Sequence, residues 1–346
     1  EINNKFIDKL AKSGVMERVL EIAVQKDNKS LKKLDGKKQT RLKGIPKLDD
    51  ANFAGTKKSK ECTIIFTEGD SAKATALAGL AVVGRDRYGV FPLKGKVLNV
   101  DDIKNLKKIM QNAEINNIIK IMGLETNKKY TSVDTLRYGS VLLFTDQDED
   151  GSHIKGLLFN LFKTLWPSLF NLPGFLKSLN TPVVKAKSGK KTKEFYSVKD
   201  FEQWKQENQK GWTCKYYKGL GTSTPAESRD YFRNMDKNII IYTNDGDQDL
   251  KALDLAFSKT ENSSDHRKEW LCSYDRNDTL DYNKKKISMM DFVNKDLKHF
   301  SFSDNARSIP NLVDGLKTSQ RKVLFTALLR NLNKEIRVAQ FAGSVS

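Results

Sequence analysis

The sequence predicts an α/β protein: a parallel sheet at its centre, a helical segment ahead of it and a helical unit behind it. Three observations predict this. Residues 63–67 and 141–144 are short apolar runs of the kind that form buried parallel strands. Each is followed by an acidic loop and then by helical periodicity. After residue 286, beyond a polar stretch, helical patterning resumes. Strand, acidic loop and helix, twice over, put both loops at the carboxyl ends of strands, the sheet edge where ligands collect.

The elements follow in order. Residues 6–24 carry Phe6, Leu10, Val15, Val19, Ile22 and Ala23 at helical spacing, interrupted at Gly14. Residues 25–60 are polar and lysine-rich, a linker that holds Gly44-Ile45-Pro46-Lys47-Leu48. After the first strand, Glu68-Gly69-Asp70-Ser71 is a turn, and Asp70 or Ser71 can cap a helix over 72–80. A helix is expected within 105–123 and another over 153–165, after the second strand. The most apolar stretch, 156–176, contains Asn160, Lys163, Pro167, Asn171 and Pro173, so it reads as a buried helix and turn and not as a membrane span. Residues 181–198 read as a hairpin with a basic tip at 187–191. Residues 262–286 read as a linker, and helices are expected over 289–300 and, after Pro310, over 313–330. The domain reading is 1–43 as an N-terminal helix and basic linker, 44–261 as the α/β domain with insertions, 262–300 as linker and helix, and 301–346 as the start of a further domain.

Composition narrows the partners. The 346 residues carry 61 Lys+Arg against 43 Asp+Glu, a formal charge of +18, which favours a polyanion and above all duplex nucleic acid over the alternative of an ordinary protein from a lysine-rich proteome. Cys62, Cys214 and Cys272 are few, far apart and odd in number, which argues against a disulfide framework or a zinc site and fits a reducing compartment. Residues 1–12 are charged and carry no secretory signal. Beginning at Glu1 and stopping in mid-pattern at Ser346, the chain reads as an excised fragment.

Asp146, Asp148 and Asp150, spaced by two at the end of a buried strand, carry the strongest chemical signal. Such carboxylates repel one another unless a cation or a ring of donors neutralises them. Hard oxygen ligands suit Mg²⁺, with Mn²⁺ or Ca²⁺ as alternatives. An EF-hand would need Glu at the loop's twelfth position, where Leu157 stands, and a helix where a strand precedes. The bland alternative is an acidic surface turn. Glu68 adds a fourth carboxylate from a matching strand end, and a carboxyl crowded by others can act as general acid or base. Lys94 and Lys96 flank Gly95 where a phosphate can approach closely, although a solvated loop has the same composition. Lys215-Tyr216-Tyr217-Lys218-Gly219-Leu220-Gly221-Thr222 interleaves aromatic and basic residues but lacks the spacing of a nucleotide P-loop. Arg321 and Lys322 near a helix start resemble the opening of a helix-turn-helix, or a solvated basic face.

Taken together, Glu68-Gly69-Asp70-Ser71-Ala72-Lys73 and Thr145-Asp146-Gln147-Asp148-Glu149-Asp150-Gly151-Ser152-His153 resemble the TOPRIM metal site of type IIA DNA topoisomerases. Pro92 to Val100 and Tyr217 to Thr222 match further family segments. Ser308 to Lys317, then Gln320-Arg321-Lys322-Val323-Leu324, resemble the start of the winged-helix DNA gate. Both parts on one chain, and the Asp-Gln-Asp-Glu-Asp-Gly wording, resemble the eukaryotic branch. The resemblance implies a Rossmann-like TOPRIM sheet, a partial winged-helix unit, double-stranded DNA as partner, a homodimer and a nuclear location, with a viral or organellar relative left open. It implies that Glu68, Asp146, Asp148 and Asp150 hold Mg²⁺, that Glu68 passes a proton to the leaving 3′ oxygen, and that Arg321 positions the phosphate. Lys94, Lys96, Lys218, His153, Arg321 and Lys322 would meet DNA. Many relatives carry Arg at the place of Lys94, so bidentate pairing is lost there. It also implies that ATP acts through a domain ahead of Glu1 and the nucleophilic tyrosine beyond Ser346, so that this chain alone would not cleave. A TOPRIM nuclease and a non-catalytic DNA-binding scaffold are the competing readings; a protein kinase or P-loop ATPase is disfavoured by the absence of their phosphate loops.

Overall fold

The apolar runs become strands covered on both faces. The computed structural model describes residues 32–346 except 102, 104, 105, 209 and 218, together with residues 9, 13–15, 17–19, 21, 22 and 26. In chain order the strands are β1 (Thr63–Glu68), β2 (Tyr88–Leu93), β3 (Ser140–Phe144), β4 (Leu176–Leu179), β5 (Val184–Ser188), β6 (Lys191–Phe195), β7 (Thr213–Tyr216), β8 (Ile239–Thr243) and β9 (Lys286–Ser288). The main sheet has the order β2-β1-β3-β4-β8-β9. Its centre is parallel, as expected; β8 runs antiparallel to β4, and β9 runs parallel to β8.

The helices that matter to the site are α1 (Gly69–Val83), α2 (Ala113–Met122), α3 (Glu149–Leu165), α4 (Val198–Glu207), α5 (Pro225–Arg233), α6 (Asp247–Phe257), α7 (Ser263–Cys272), α8 (Lys298–Ser308), α9 (Thr318–Leu329) and α10 (Val338–Val345). Ile64, Phe66, Val141 and Leu143 enter one core with α2 and α3, while Ile65, Leu142 and Phe144 enter the other with α1 and α5. Period-two side chains with both faces buried give the apolar runs seen in the sequence.

Several boundaries differ from expectation, each for a local reason. α1 begins at Gly69, and neither Asp70 nor Ser71 caps it; Asp70 instead accepts from Lys47 Nζ at 2.6 Å. The helix expected within 105–123 breaks, because the Asn112 side chain accepts from Glu114 N and Ile115 N and starts α2 anew; residue 105 lies outside the described residues. α3 starts at Glu149, ahead of the expected 153, because Asp148 caps it by accepting from Gly151 N at 2.8 Å. The helix read over 6–24 falls largely outside the described residues.

The basic hairpin is present as β5 and β6, and β7 adds a third strand on the far side of β5. Residues 262–286, read as a linker, contain α7. Its outer face is polar, which hides it from a periodicity search, and Trp270 anchors it by donating Nε1–H to Asn294 Oδ1 at 2.8 Å. The helix expected over 289–300 passes through a π turn at Val293–Leu297 and continues as α8 to Ser308. The helix expected from 313 starts at Thr318: Asn311 and Asp314 accept from Val313 N and Leu316 N and hold the preceding segment in turns. α9 and α10 bury none of their residues.

Candidate metal centre and nucleic-acid interface

Strand register assembles the site. Thr67 of β1 lies opposite Phe144 of β3, so Glu68 and Asp146 leave the sheet at the same edge. Glu68 also lies opposite Leu93, which brings Lys94-Gly95-Lys96 to that edge. Three segments far apart in sequence meet because three parallel strands end together.

Glu68 Oε2 lies 3.4 Å from the backbone N of Asp146. Burial first, then the charges of Asp146, Asp148 and Asp150, push the Glu68 carboxyl up to about 7. Asp146 is raised by burial and by Asp148, against the opposing N–H of Leu220, which donates to Asp146 Oδ1 at 2.7 Å. This contact explains the Gly219-Leu220 segment that sequence reasoning left ambiguous. A Cβ at Gly219 would stand 2.4 Å from Asp146 Oδ2, so only glycine lets the segment close on the aspartate. Gly151 is required in the same way, since a Cβ there would lie 2.1 Å from the Asp146 carbonyl oxygen.

Asp150 is held differently. Both terminal nitrogens of Arg307 donate to its two oxygens, at 2.8 and 2.7 Å, and Lys96 Nζ stands 2.9 Å from Oδ1. The Arg307 hydrogen bonds, opposed by burial and joined by Lys96, hold Asp150 well below the usual carboxylate range. Arg307 was missed by sequence reasoning; it lies 157 residues from Asp150, and no local pattern marks it.

The other expected contacts divide. Lys94 is exposed at the sheet edge, its backbone N donating to Glu114 Oε1 at 3.1 Å. Lys96 also lies over the Phe300 ring, 4.6 Å from its centroid. His153 does not present its ring as a free donor: it stacks on Phe300 at 3.9 Å, its Nδ1 is buried without a partner, and burial, then Lys96, lower it to about 4. Arg321 does not hydrogen-bond to the acidic cluster; it donates to Asp314 at 2.6 and 2.8 Å and to the Leu316 carbonyl at 3.1 Å. Lys322 is exposed, and Lys218 lies outside the described residues.

The donor set fits a hard divalent cation. Glu68, Asp146 and Asp148 offer only oxygens, and the mutual repulsion that raises Glu68 is what such an ion relieves. Among the described residues, however, no three carboxylate, imidazole or thiol groups stand close enough to hold a metal ion as they are disposed. Asp148 is engaged as a helix cap and Asp150 by Arg307, so only side-chain rearrangement would complete a coordination shell.

Comparisons with known proteins bear on the domains and the fold. Residues 63–176 match the Toprim domain, residues 179–305 the C-terminal associated domain of TOPRIM, and residues 307–346 the A-subunit family of DNA gyrase/topoisomerase IV. Over 362 aligned residues the chain is 51% identical to the DNA topoisomerase 2 of Bombyx mori, covering 100% of this chain and 23% of that protein. Over 364 residues it is 50% identical to the DNA topoisomerase 2-beta of Homo sapiens, covering 100% of this chain and 22% of the relative. The chain thus spans about a quarter of the length of such relatives. A solved structure of the Plasmodium falciparum topoisomerase II DNA-binding, cleavage and re-ligation domain superposes with a TM-score of 0.79 at 50% identity, over 89% of this chain and 42% of that one.

Proposed function

The chain belongs, over its whole length, to the eukaryotic DNA topoisomerase II family, and from this premise we propose that it is the metal-binding part of a core that cuts and reseals one DNA duplex so that another can pass. The observation that carries the proposal is the meeting of Glu68 with Asp146 and Asp148 at one sheet edge, beside Lys94 and Lys96.

In this reading the partner is double-stranded DNA. Glu68, Asp146 and Asp148 would hold Mg²⁺, which when bound stabilises charge on the phosphodiester oxygens. Glu68, raised to about 7, is matched to proton transfer near neutral pH and is the group that would protonate the leaving 3′ oxygen. The Gly219-Leu220 backbone orients Asp146, and Lys94 and Lys322 are exposed for phosphate contact. Arg321 would position phosphate only by leaving Asp314. Homodimerisation, a nuclear location and ATP use through a separate domain complete the proposal, with family membership as their support.

A supercoiled-plasmid assay in Mg²⁺, stopped with detergent and protease and run beside a gel shift, tests the assignment. Plasmid bound but left intact by a polypeptide of these 346 residues is the expected result. Plasmid nicked or linearised by that polypeptide, with loss of the cut in Asp148→Ala, would mean that the acidic cluster activates water, and a nuclease assignment would replace this one.

A further inference from the structure

The acidic motif carries a counter-cation of its own. Asp150 sits in the first turn of α3, two residues beyond Asp148, where spacing alone would make it one more ligand. Instead Arg307 grips both its oxygens in a fork and Lys96 adds a third contact. A bidentate guanidinium–carboxylate pair is among the strongest and most directional of polar contacts. The two cations therefore occupy the lone pairs that a divalent ion would need.

Arg307 is also mechanically placed. It lies near the end of α8, just before the turn-rich segment that leads to α9. The other end of that helical run is fixed to α3 independently of Arg307. Asp296, in the π turn, accepts from Ser152 Oγ at 2.6 Å and from Lys155 Nζ at 3.2 Å, all three groups being buried. The run is thus pinned by a buried contact at one end and by an exposed ion pair at the other, so the Arg307 end can release without unfolding the Asp296 end.

We propose that Arg307, assisted by Lys96, is a positioning residue that competes with a divalent cation for Asp150, so that metal binding at Asp150 requires the end of α8 to let go. The proposal rests on the metal assignment made above for Glu68, Asp146 and Asp148. It sets Asp150, held by two side-chain cations, apart from Glu68, Asp146 and Asp148, which accept from backbone N–H groups. A DNA phosphate that draws Arg307 away would open Asp150 to a second ion, coupling nucleic-acid contact to metal occupancy.

Counting free Mn²⁺ by electron paramagnetic resonance in titrations of the 346-residue chain, without DNA, tests this directly. Wild type is expected to bind one ion more tightly than any other. Arg307→Gln should tighten a second ion by about tenfold, the effect of removing roughly one neighbouring charge. Arg307→Lys keeps the charge and should stay close to wild type, which a merely structural loss would not do. Asp150→Asn should leave the first ion of wild type unchanged and abolish the gain in the double variant Arg307→Gln/Asp150→Asn. If Asp150→Asn weakens the first ion, or if Arg307→Gln binds no tighter than wild type, Asp150 is not held in reserve and the proposal is wrong. Asp150→Asn still decides the matter if Arg307→Gln does not fold. Absence of Mn²⁺ binding in every form would overturn the metal assignment itself, a result distinct from unaltered binding across the variants.

Discussion

At the scale of single residues the site depends on close approaches that tolerate no added atom. Gly219→Ala would drive a methyl group against the Asp146 carboxylate and displace it from the Leu220 N–H. Since groups that orient a ligand are worth about 10–100-fold in metal affinity, Mn²⁺ binding should fall by about that factor with the circular dichroism spectrum unchanged. Glu68 gives the pH prediction. Its folded value, about 7, lies above the ordinary 4.5, so its contribution to stability is fully present below 4.5 and is lost as pH rises through 7. Metal-free protein should therefore melt lower at pH 8 than at pH 5.5 on account of this group, and Glu68→Gln should flatten that slope in thermal melts. A steeper slope in the variant would show that Glu68 is not the group responsible. Glu68 and Asp146 were legible in the sequence because they end apolar runs. Arg307 was not, because its partner is fixed only by folding.

At the scale of elements, the contact between α3 and the π turn holds the acidic loop's helix in place. Lys155 and Asp296 are both buried. Burial alone would pull the lysine's pKa down, but Asp296 and Tyr242 raise it, so it stays charged. Asp296→Ala strands that charge and should cost about 3–5 kcal/mol in urea unfolding, whereas Lys155→Met with Asp296→Leu should cost far less. A similar cost for the single and double changes would mean that the charge pairing is not the source. Element type was read correctly for β1 and β3, from their apolar runs, and for α3 and the β5–β6 hairpin. α7 and the extension of α8 to Ser308 were missed, since α7 buries Trp270 alone and α8 only Lys298 and Phe300, at its start, which leaves little periodic signal.

At the scale of the whole molecule, the +18 charge meets a sheet edge where acidic and basic residues are interleaved. Binding to duplex DNA should weaken steeply with salt, and Lys94→Ala or Lys322→Ala should each lower the slope of log K against log salt by about 0.9. Arg321→Ala should do more than remove a charge, because it also frees Asp314 and loosens the turn before α9. No helix among the described residues is long and apolar enough to cross a membrane, in keeping with the reading of 156–176 as buried.

The sequence by itself determined the α/β class, the two acidic strand ends, the basic bias and the family, because these rest on local pattern and on motifs in order. The tertiary structure decided what holds each carboxylate. Asp146, Asp148 and Asp150 look equivalent when spaced by two along a chain. Folding gives each a different partner: the backbone of Leu220, the first turn of α3, and the guanidinium of Arg307. Leu220 and Arg307 come from segments that only strand register and helix packing bring to the loop, so no pattern along the chain could assign them, whereas the Asp148 cap is a local contact with Gly151 N.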